Sequence, residues 1–261
     1  MNTTPGIRKN EVRKWLDAHV GGVEGELEYH QIVGGHSNLT YTVTENSGRK
    51  WVLRRPPLGH VLATAHDMGR EYRVIKALAG SEVPVPRVVG LCEDMTINDA
   101  PFYVMDFVEG IVVRDAEIAR SQPLSVRNKM GESLLKTLVS LHAVDVDEVG
   151  LGDLARKDAY IERQLKRWKA QFEQSTNREI PGVFEIHDNL LQNVPEQQGV
   201  GIVHGDYRLD NTIMSETGEV AAVLDWELCT LGDVLSDLAA IISYSNDLTG
   251  METQAMSVEG F

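Results

Sequence analysis

The sequence has few cysteines, no surplus of positive charge and no long apolar run. Cys92 and Cys229 are its only cysteines. Two thiols are too few for a disulfide framework or a cysteine-based zinc site, so a reducing compartment, the cytoplasm, is expected, with both thiols ordinary core residues. Lysine and arginine total 25 against 39 aspartates and glutamates, a formal charge of −14 and a pI near 5.0. Such a chain lacks the basic patch that holds DNA or an anionic membrane, which leaves a small molecule as the expected partner. No apolar stretch approaches the roughly 18 residues of a membrane span, and MNTTPGIRKNEVRKW has no apolar core segment of a signal peptide. The nucleotide-binding patterns G-x-G-x-x-G and G-x-x-x-x-G-K-[ST] are both absent, which excludes a Rossmann or Walker reading.

At 261 residues the chain can bury one large core or two lobes. Val12, Trp15, Leu16 and Val20 recur at helical spacing over residues 8–20. The runs ELEYHQIV, LTYTVTE and KWVLRR read as strands, the last two joined by the turn ENSG, which makes an antiparallel meander. Met68, Tyr72, Ile75 and Ala79 predict a helix over 67–79, ended by the prolines of VPVPRVVGL. FYVMDFVEG reads as a strand ending at a glycine. From residue 124 long helices take over, with Val126, Met130, Leu134, Leu138 and Leu141 on one stripe and Tyr160, Ile161, Leu165, Trp168 and Phe172 on another. Residues 176–200 read as a surface loop. A β-rich part therefore precedes a helical part, with the boundary near Gly110.

The chemistry concentrates in VHGDYRLDNTIM, residues 203–214. Asp206 and Asn211 lie five positions apart in a segment too polar and short for a buried helix. Thr212–Met214 and Val220–Leu224 are short apolar strands around SETGE, and a hairpin centred near 216–218 returns Asp225 toward Asn211. One amide and one carboxylate then converge, an oxygen pair that suits magnesium, whose shell phosphate oxygens and water complete. Asp206 is left to orient a hydroxyl.

HGDYRLDN followed by LDWE resembles the catalytic and metal-binding motifs of the aminoglycoside phosphotransferase family, relatives of the protein kinases, and D-x-x-x-x-N is the kinase catalytic-loop spacing. The resemblance implies an α+β, protein-kinase-like bilobal fold: a β-rich N-terminal nucleotide-binding lobe over 1–109 and a helical C-terminal catalytic lobe over 110–261. It implies ATP and Mg2+ as cofactors, Asp206 as catalytic base, and Asn211 and Asp225 as metal ligands. His204 is read as holding the loop through hydrogen bonds. Arg208 is a candidate for stabilising charge on the transferred phosphate, with a surface arginine as the alternative.

In IVGGHSNLTYTV, the positions Gly34, Gly35 and Ser37 match the family's nucleotide loop, whose backbone amides lie over phosphates. Val52 and Arg54 share one strand face where kinases present alanine and then the phosphate-binding lysine, so the lysine is replaced by arginine. Glu71 matches the helix glutamate that pairs with that cation; the alternative is a solvated helix residue. FYVMDFVEG resembles the interlobe hinge, with Met105 as gatekeeper and backbone groups of Asp106 and Val108 toward adenine. Asp237 matches the residue that anchors the catalytic loop, and Asp210 and Glu227 read as loop-stabilising or catalytic.

The phrases SNLTY, VLRRPP, REYRVIKAL, VPVPRVVGLCED, YIERQLKRW, HGDYRLDN and VLDWELCTLGD resemble the branch associated with acyl-CoA dehydrogenases. The likeness runs over most of residues 25–240. The expectation is an ATP- and magnesium-dependent phosphotransferase acting on a small-molecule hydroxyl, with hydroxyacyl compounds or their CoA thioesters as acceptors. A nucleotide-binding module without turnover and an aminoglycoside-modifying kinase are the alternatives. Chains of this family continue for several helices beyond the segment matching LGDVLSDLAAIISY, so the helical lobe is expected to be incomplete and its acceptor side open.

Overall fold

In the computed structural model, residues 4–32, 38–59 and 66–245 are described; Gly34, Gly35 and Ser37 lie outside them. The elements in chain order are α1 (Lys9–Val20), β1 (Leu27–Gln31), β2 (Leu39–Glu45), β3 (Lys50–Arg55), α2 (Met68–Leu78), β4 (Val88–Cys92), α3 (Met95–Asn98), β5 (Phe102–Asp106), α4 (Ala116–Ser121), α5 (Leu124–His142), α6 (Tyr160–Ser175), α7 (Val183–Gln192), β6 (Gly201–Val203), β7 (Thr212–Met214), β8 (Val220–Val223), β9 (Thr230–Gly232) and α8 (Leu235–Ser245). The first five strands form an antiparallel sheet ordered β1-β2-β3-β5-β4. This α+β arrangement is kinase-like, with the sheet N-terminal and most of the helices after it.

Both faces of the sheet are apolar, because strand alternation sends neighbouring side chains to opposite sides. Trp51, Leu53, Phe102 and Val104 face outward onto Val12 and Leu16 of α1. Val52, Tyr103 and Met105 face inward, and the core they enter continues through α2 into α5 and the β7–β8 hairpin. One apolar core thus crosses the residue 110 boundary.

Helix α2 starts at Asp67, whose carboxylate accepts the Arg70 amide at 2.9 Å, the preferred N-cap chemistry. Its buried stripe is Met68, Glu71, Val74, Ile75 and Leu78. This stripe is rotated from the predicted one: Ala79 is exposed and the acid Glu71 is inside, because it has a cationic partner there. Arg70 of this helix donates across to Leu154 O at 2.9 Å and Cys229 O at 3.0 Å, tying α2 to the helical part.

Three further expectations are corrected. Residues 183–192 are helical rather than loop: Val183, Ile186 and Leu190 repeat at helical spacing, and Phe184 packs edge-on against Phe172 of α6 with ring centres 6.0 Å apart. Trp168 is 57% exposed instead of buried. β5 ends at Asp106, four residues before the glycine, just past its pairing with β4, where the Asp106 amide donates to Arg87 O at 2.9 Å. The chain then crosses at Gly110, where Ile111 and Met214 exchange backbone hydrogen bonds of 2.7 and 2.8 Å. A Cβ at Gly110 would stand 2.5 Å from Met214 O at φ +153°, so the crossing requires glycine.

Among the described residues, no helix is long and apolar enough to cross a membrane. Both thiols are buried and unpaired, and burial pushes the Cys229 thiol up to about 12, as inert core cysteines require.

Candidate active site

The β7–β8 hairpin turns at Ser215–Glu219 and pairs Thr212 with Val223. The Leu224 amide donates to Asn211 O at 2.8 Å, which sets Asp225 beside Asn211. Asp225 has a left-handed backbone, φ 63° and ψ 62°, a conformation that aspartate tolerates better than most residues. Asn211 donates both amide hydrogens to Asp206, one to its backbone oxygen and one to Oδ2, each at 2.8 Å. The Asn211 carbonyl oxygen is the end left for a cation.

Asp237, fully buried in α8, fixes the other side of this loop. It accepts the His204 amide at 2.8 Å, the Gly205 amide at 2.9 Å and meets His142 Nε2 at 3.1 Å. The His204 ring donates from Nε2 to Leu224 O at 2.8 Å while Nδ1 accepts the Asp206 amide at 3.3 Å. That pattern needs the neutral ring, and burial lowers its pKa accordingly. Gly205 lies at φ +87°, where a Cβ would stand 2.9 Å from Leu228 O, so HGD closes tightly only with glycine at its centre.

Arg54 projects from β3 into a concentration of acids. Its NH2 lies 2.5 Å from Asp225 Oδ1 and 3.6 Å from Glu227 Oε2. Nε is 2.9 Å from Glu71 Oε2 but off the N–H axis, so this contact is coulombic rather than a hydrogen bond. Glu71 also accepts from the Tyr103 hydroxyl at 3.0 Å and from Asn38 Nδ2 at 2.9 Å. Glu71 is buried rather than a solvated helix residue. Burial raises its carboxyl to about 7; Arg54 and the Tyr103 hydrogen bond pull it down, and Asp225 and Glu227 push it up. For Arg54 burial opposes the charge, but Tyr103 and the three acids together outweigh it and hold the guanidinium above its ordinary value.

Among the candidate residues, Arg54, Asp106, Val108, Asp206, Arg208, Asn211 and Asp225 line one cavity of about 800 Å³, together with Met105, Asp210 and Glu227. Glu71 lies behind Arg54. The Asp106 side chain pairs with Arg87 at 2.7 and 3.0 Å, and its amide is engaged, so its carbonyl is the backbone group left for a ligand. Arg208 bridges Asp206 Oδ1 at 3.3 Å and Asp210 Oδ2 at 3.1 Å, a paired cleft arginine rather than a surface one. Burial raises the Asp210 carboxyl.

Sequence reading missed Asn38 and Tyr103 and gave Glu227 only a generic role. Tyr103 was accessible from register: it pairs with Arg54 across β3 and β5 and must share its face. Asn38 left no such signal, because its partners come from residues 71 and 227.

The pattern of the phosphotransferase enzyme family, APH, matches residues 28–260. The chain belongs to this family. Phosphotransferase is therefore the enzyme class of its family. Acyl-CoA dehydrogenase family member 10 of Mus musculus is 38% identical over 238 residues, covering 90% of this chain and 22% of the relative. Acyl-CoA dehydrogenase family member 11 of Gallus gallus is 37% identical over 217 residues, covering 82% and 28%. The chain thus spans less than a third of the length of these curated relatives. A solved Ralstonia eutropha protein, provisionally assigned as an aminoglycoside phosphotransferase, superposes with TM-score 0.78 at 34% identity, covering 96% of this chain and 74% of that one. The streptomycin and ATP ternary complex of APH(2")-IIa gives TM-score 0.65 at 18% identity, over 95% and 78%, a likeness of fold.

Proposed function

We propose that the chain transfers the terminal phosphoryl group of ATP to a hydroxyl of a hydroxyacyl compound, free or as its CoA thioester. The observation that supports this best is the meeting of Asp206, Asn211, Asp225 and Arg54 on one cavity. Asp206 is the catalytic base: its carboxylate, fixed by Asn211 and Arg208, accepts the hydrogen bond of the attacking hydroxyl and fixes the line of attack. Arg208 offsets charge on the transferred group, and Arg54 faces the phosphates. The hinge carbonyl of Asp106 and backbone of Val108 bind adenine, and Gly34, Gly35 and Ser37 complete the nucleotide side. Placement and electrostatics supply the rate, because phosphoryl transfer needs little covalent help from protein groups.

The donor set fits magnesium. The Asn211 carbonyl oxygen and the Asp225 carboxylate are hard oxygens, and among the described residues no cluster of three or more histidine, cysteine or acidic side chains is arranged to hold a metal. The ion would rest on that pair and on phosphate oxygens, as magnesium usually does. When bound it would neutralise charge on the phosphates.

The acceptor class is supported by the relatives, much longer chains that are named as acyl-CoA dehydrogenase family members. A polycationic aminoglycoside is the competing acceptor, because the lining carries Asp106, Asp206, Asp210, Asp225 and Glu227 against Arg54, Arg114 and Arg208. A nucleotide-binding module without turnover is the second reading, favoured by the arginine that stands at position 54 among three acids where kinases carry lysine. ATP consumption across hydroxyacyl acids, their CoA thioesters and aminoglycosides, with Asp206→Asn as control, separates the three. We expect turnover with a hydroxyacyl acceptor only and its loss in the variant. MgATP binding with no turnover on any acceptor leaves the binding module, and turnover on an aminoglycoside overturns the acceptor class.

A further inference from the structure

We propose that Asn38 is a positioning residue whose side-chain amide ties Glu71 to Glu227 and thereby sets Arg54 at the nucleotide phosphates. The inference rests on the phosphotransferase reading above and adds to it a residue to which that reading gives no role.

Asn38 is 6% exposed and opens the segment leading into β2. Its Nδ2 donates to Glu71 Oε1 at 2.9 Å and to Glu227 Oε2 at 3.1 Å, and its Oδ1 meets His66 Nδ1 at 2.9 Å. Both amide hydrogens and the carbonyl are therefore engaged. Two carboxylates accept from the same nitrogen, so the amide can face only one way; a flipped carbonyl would repel both. His66 then donates from Nδ1.

The geometry explains why a neutral double donor stands there. Glu71 comes from α2 and Glu227 from the turn after β8, and with Asp225 they place three acids around one guanidinium. Two of these acids repel across the junction between α2 and the helical part, and each hydrogen bond from Asn38 offsets part of that repulsion. Asn38 also determines how Arg54 is shared. Glu227 sits 3.6 Å from NH2, beyond hydrogen-bonding distance, while it accepts from Asn38. Without that donor the repulsion between Glu71 and Glu227 is less offset, and the acids hold the guanidinium more strongly and farther from the cavity. The phosphates would then lose their cation, while the acceptor side, formed by Asp206 and Arg208, would be untouched. Asn38 therefore acts on nucleotide affinity through Arg54.

The test uses Asn38→Asp, which keeps the shape but sets a further acid against Glu71 and Glu227, together with Glu227→Gln and the double variant, in the full chain. MgATP affinity is read by calorimetry and the KM for each substrate by turnover. Asn38→Asp should weaken MgATP binding about tenfold, the loss of a charge-assisted hydrogen bond, with the acceptor KM unchanged. In the double variant the amide introduced at position 227 can donate to the carboxylate introduced at position 38, and affinity should return to within about threefold of wild type. Asn38→Ser, which retains one donor, should show an intermediate loss and reads the same quantity if Asn38→Asp does not fold. The inference is overturned if Asn38→Asp or Asn38→Ser lowers only the melting temperature and binds MgATP like wild type, or if Glu227→Gln fails to restore Asn38→Asp. A wild-type chain that binds no MgATP removes the phosphotransferase reading itself and this inference with it.

Discussion

Asp237 and Glu71 are two buried acids a short distance from the same cavity, held in opposite ways. Asp237 receives two backbone amides and a histidine ring nitrogen. Each partner is a donor, and each belongs to the HGD loop or to α5 behind it. Glu71 has an amide and a phenol as donors, but its cation is shared with Asp225 and Glu227. The first arrangement closes its hydrogen bonding and holds a loop still. The second leaves more negative than positive charge in a buried place, a condition that a cation arriving with a nucleotide would relieve. Acids of one kind therefore build a scaffold at one end of the site and a charge-poised surface at the other.

The loop that Asp237 holds carries Asp206, so the comparison is tested most severely at that residue. Asp206→Asn should lower kcat by about 10²- to 10⁴-fold, the usual contribution of a positioned base. MgATP affinity and melting temperature should stay near wild type. A variant that retained most of its turnover would make the anchored loop mere structure. Asp237→Ala should act the other way, on stability. It strands the buried amide of His204 and takes the acceptor from the Gly205 amide and the His142 ring, which costs about 3 kcal/mol and, for a chain of this size, roughly 6 to 12 °C in melting temperature. A thermal scan showing no change would mean that water or another donor set replaces the anchor.

At the poised end, Arg54→Lys is the sharper probe. Lysine keeps the charge but is a single point, and it cannot span from Glu71 to Asp225 as the guanidinium does. The expected loss is about tenfold in kcat/KM for ATP, with stability little changed. Wild-type kinetics in Arg54→Lys would show that only the charge matters.

How much of this was legible beforehand follows from the range of the interactions. The motif HGDYRLDN and the β7–β8 hairpin are local, and their turn and strand chemistry places Asp225 near Asn211 without a structure. The Arg54 to Glu71 pair was accessible only through the likeness to kinases, since strand alternation gives the face of Arg54 but not what lies opposite. Glu71 shows why periodicity misled at α2: an acid on the buried stripe breaks the apolar pattern, which shifts the apolar repeat onto Tyr72 and Ala79. α7 was missed for the opposite reason. Its face is apolar but largely exposed, with Ile186 62% accessible, and flanking glutamines and a proline masked its helical repeat. Asn38 joins positions 71 and 227, and no local pattern encodes a contact of that span.

The smallest expected effect separates the two acids by pH in the nucleotide-free protein. Burial raises the Glu71 carboxyl from its ordinary 4.5 to about 7 in the folded chain, so folding takes up a proton between those values. The folded state is then helped by this group most fully below the unfolded value, and that help is lost as the pH rises through about 7. Glu71→Gln removes the titration while keeping an amide that Tyr103 and Asn38 can still approach. The melting temperature of the variant should therefore gain on that of wild type between about pH 5 and about pH 8, when the two are compared at each pH. A difference that stayed flat across this range would mean that Glu71 is ionised throughout, with Arg54, Tyr103 and Asn38 together holding its charge. The surplus of negative charge would then have to lie at Asp225 and Glu227, and the poised surface would be the mouth of the cavity rather than the buried pair behind it.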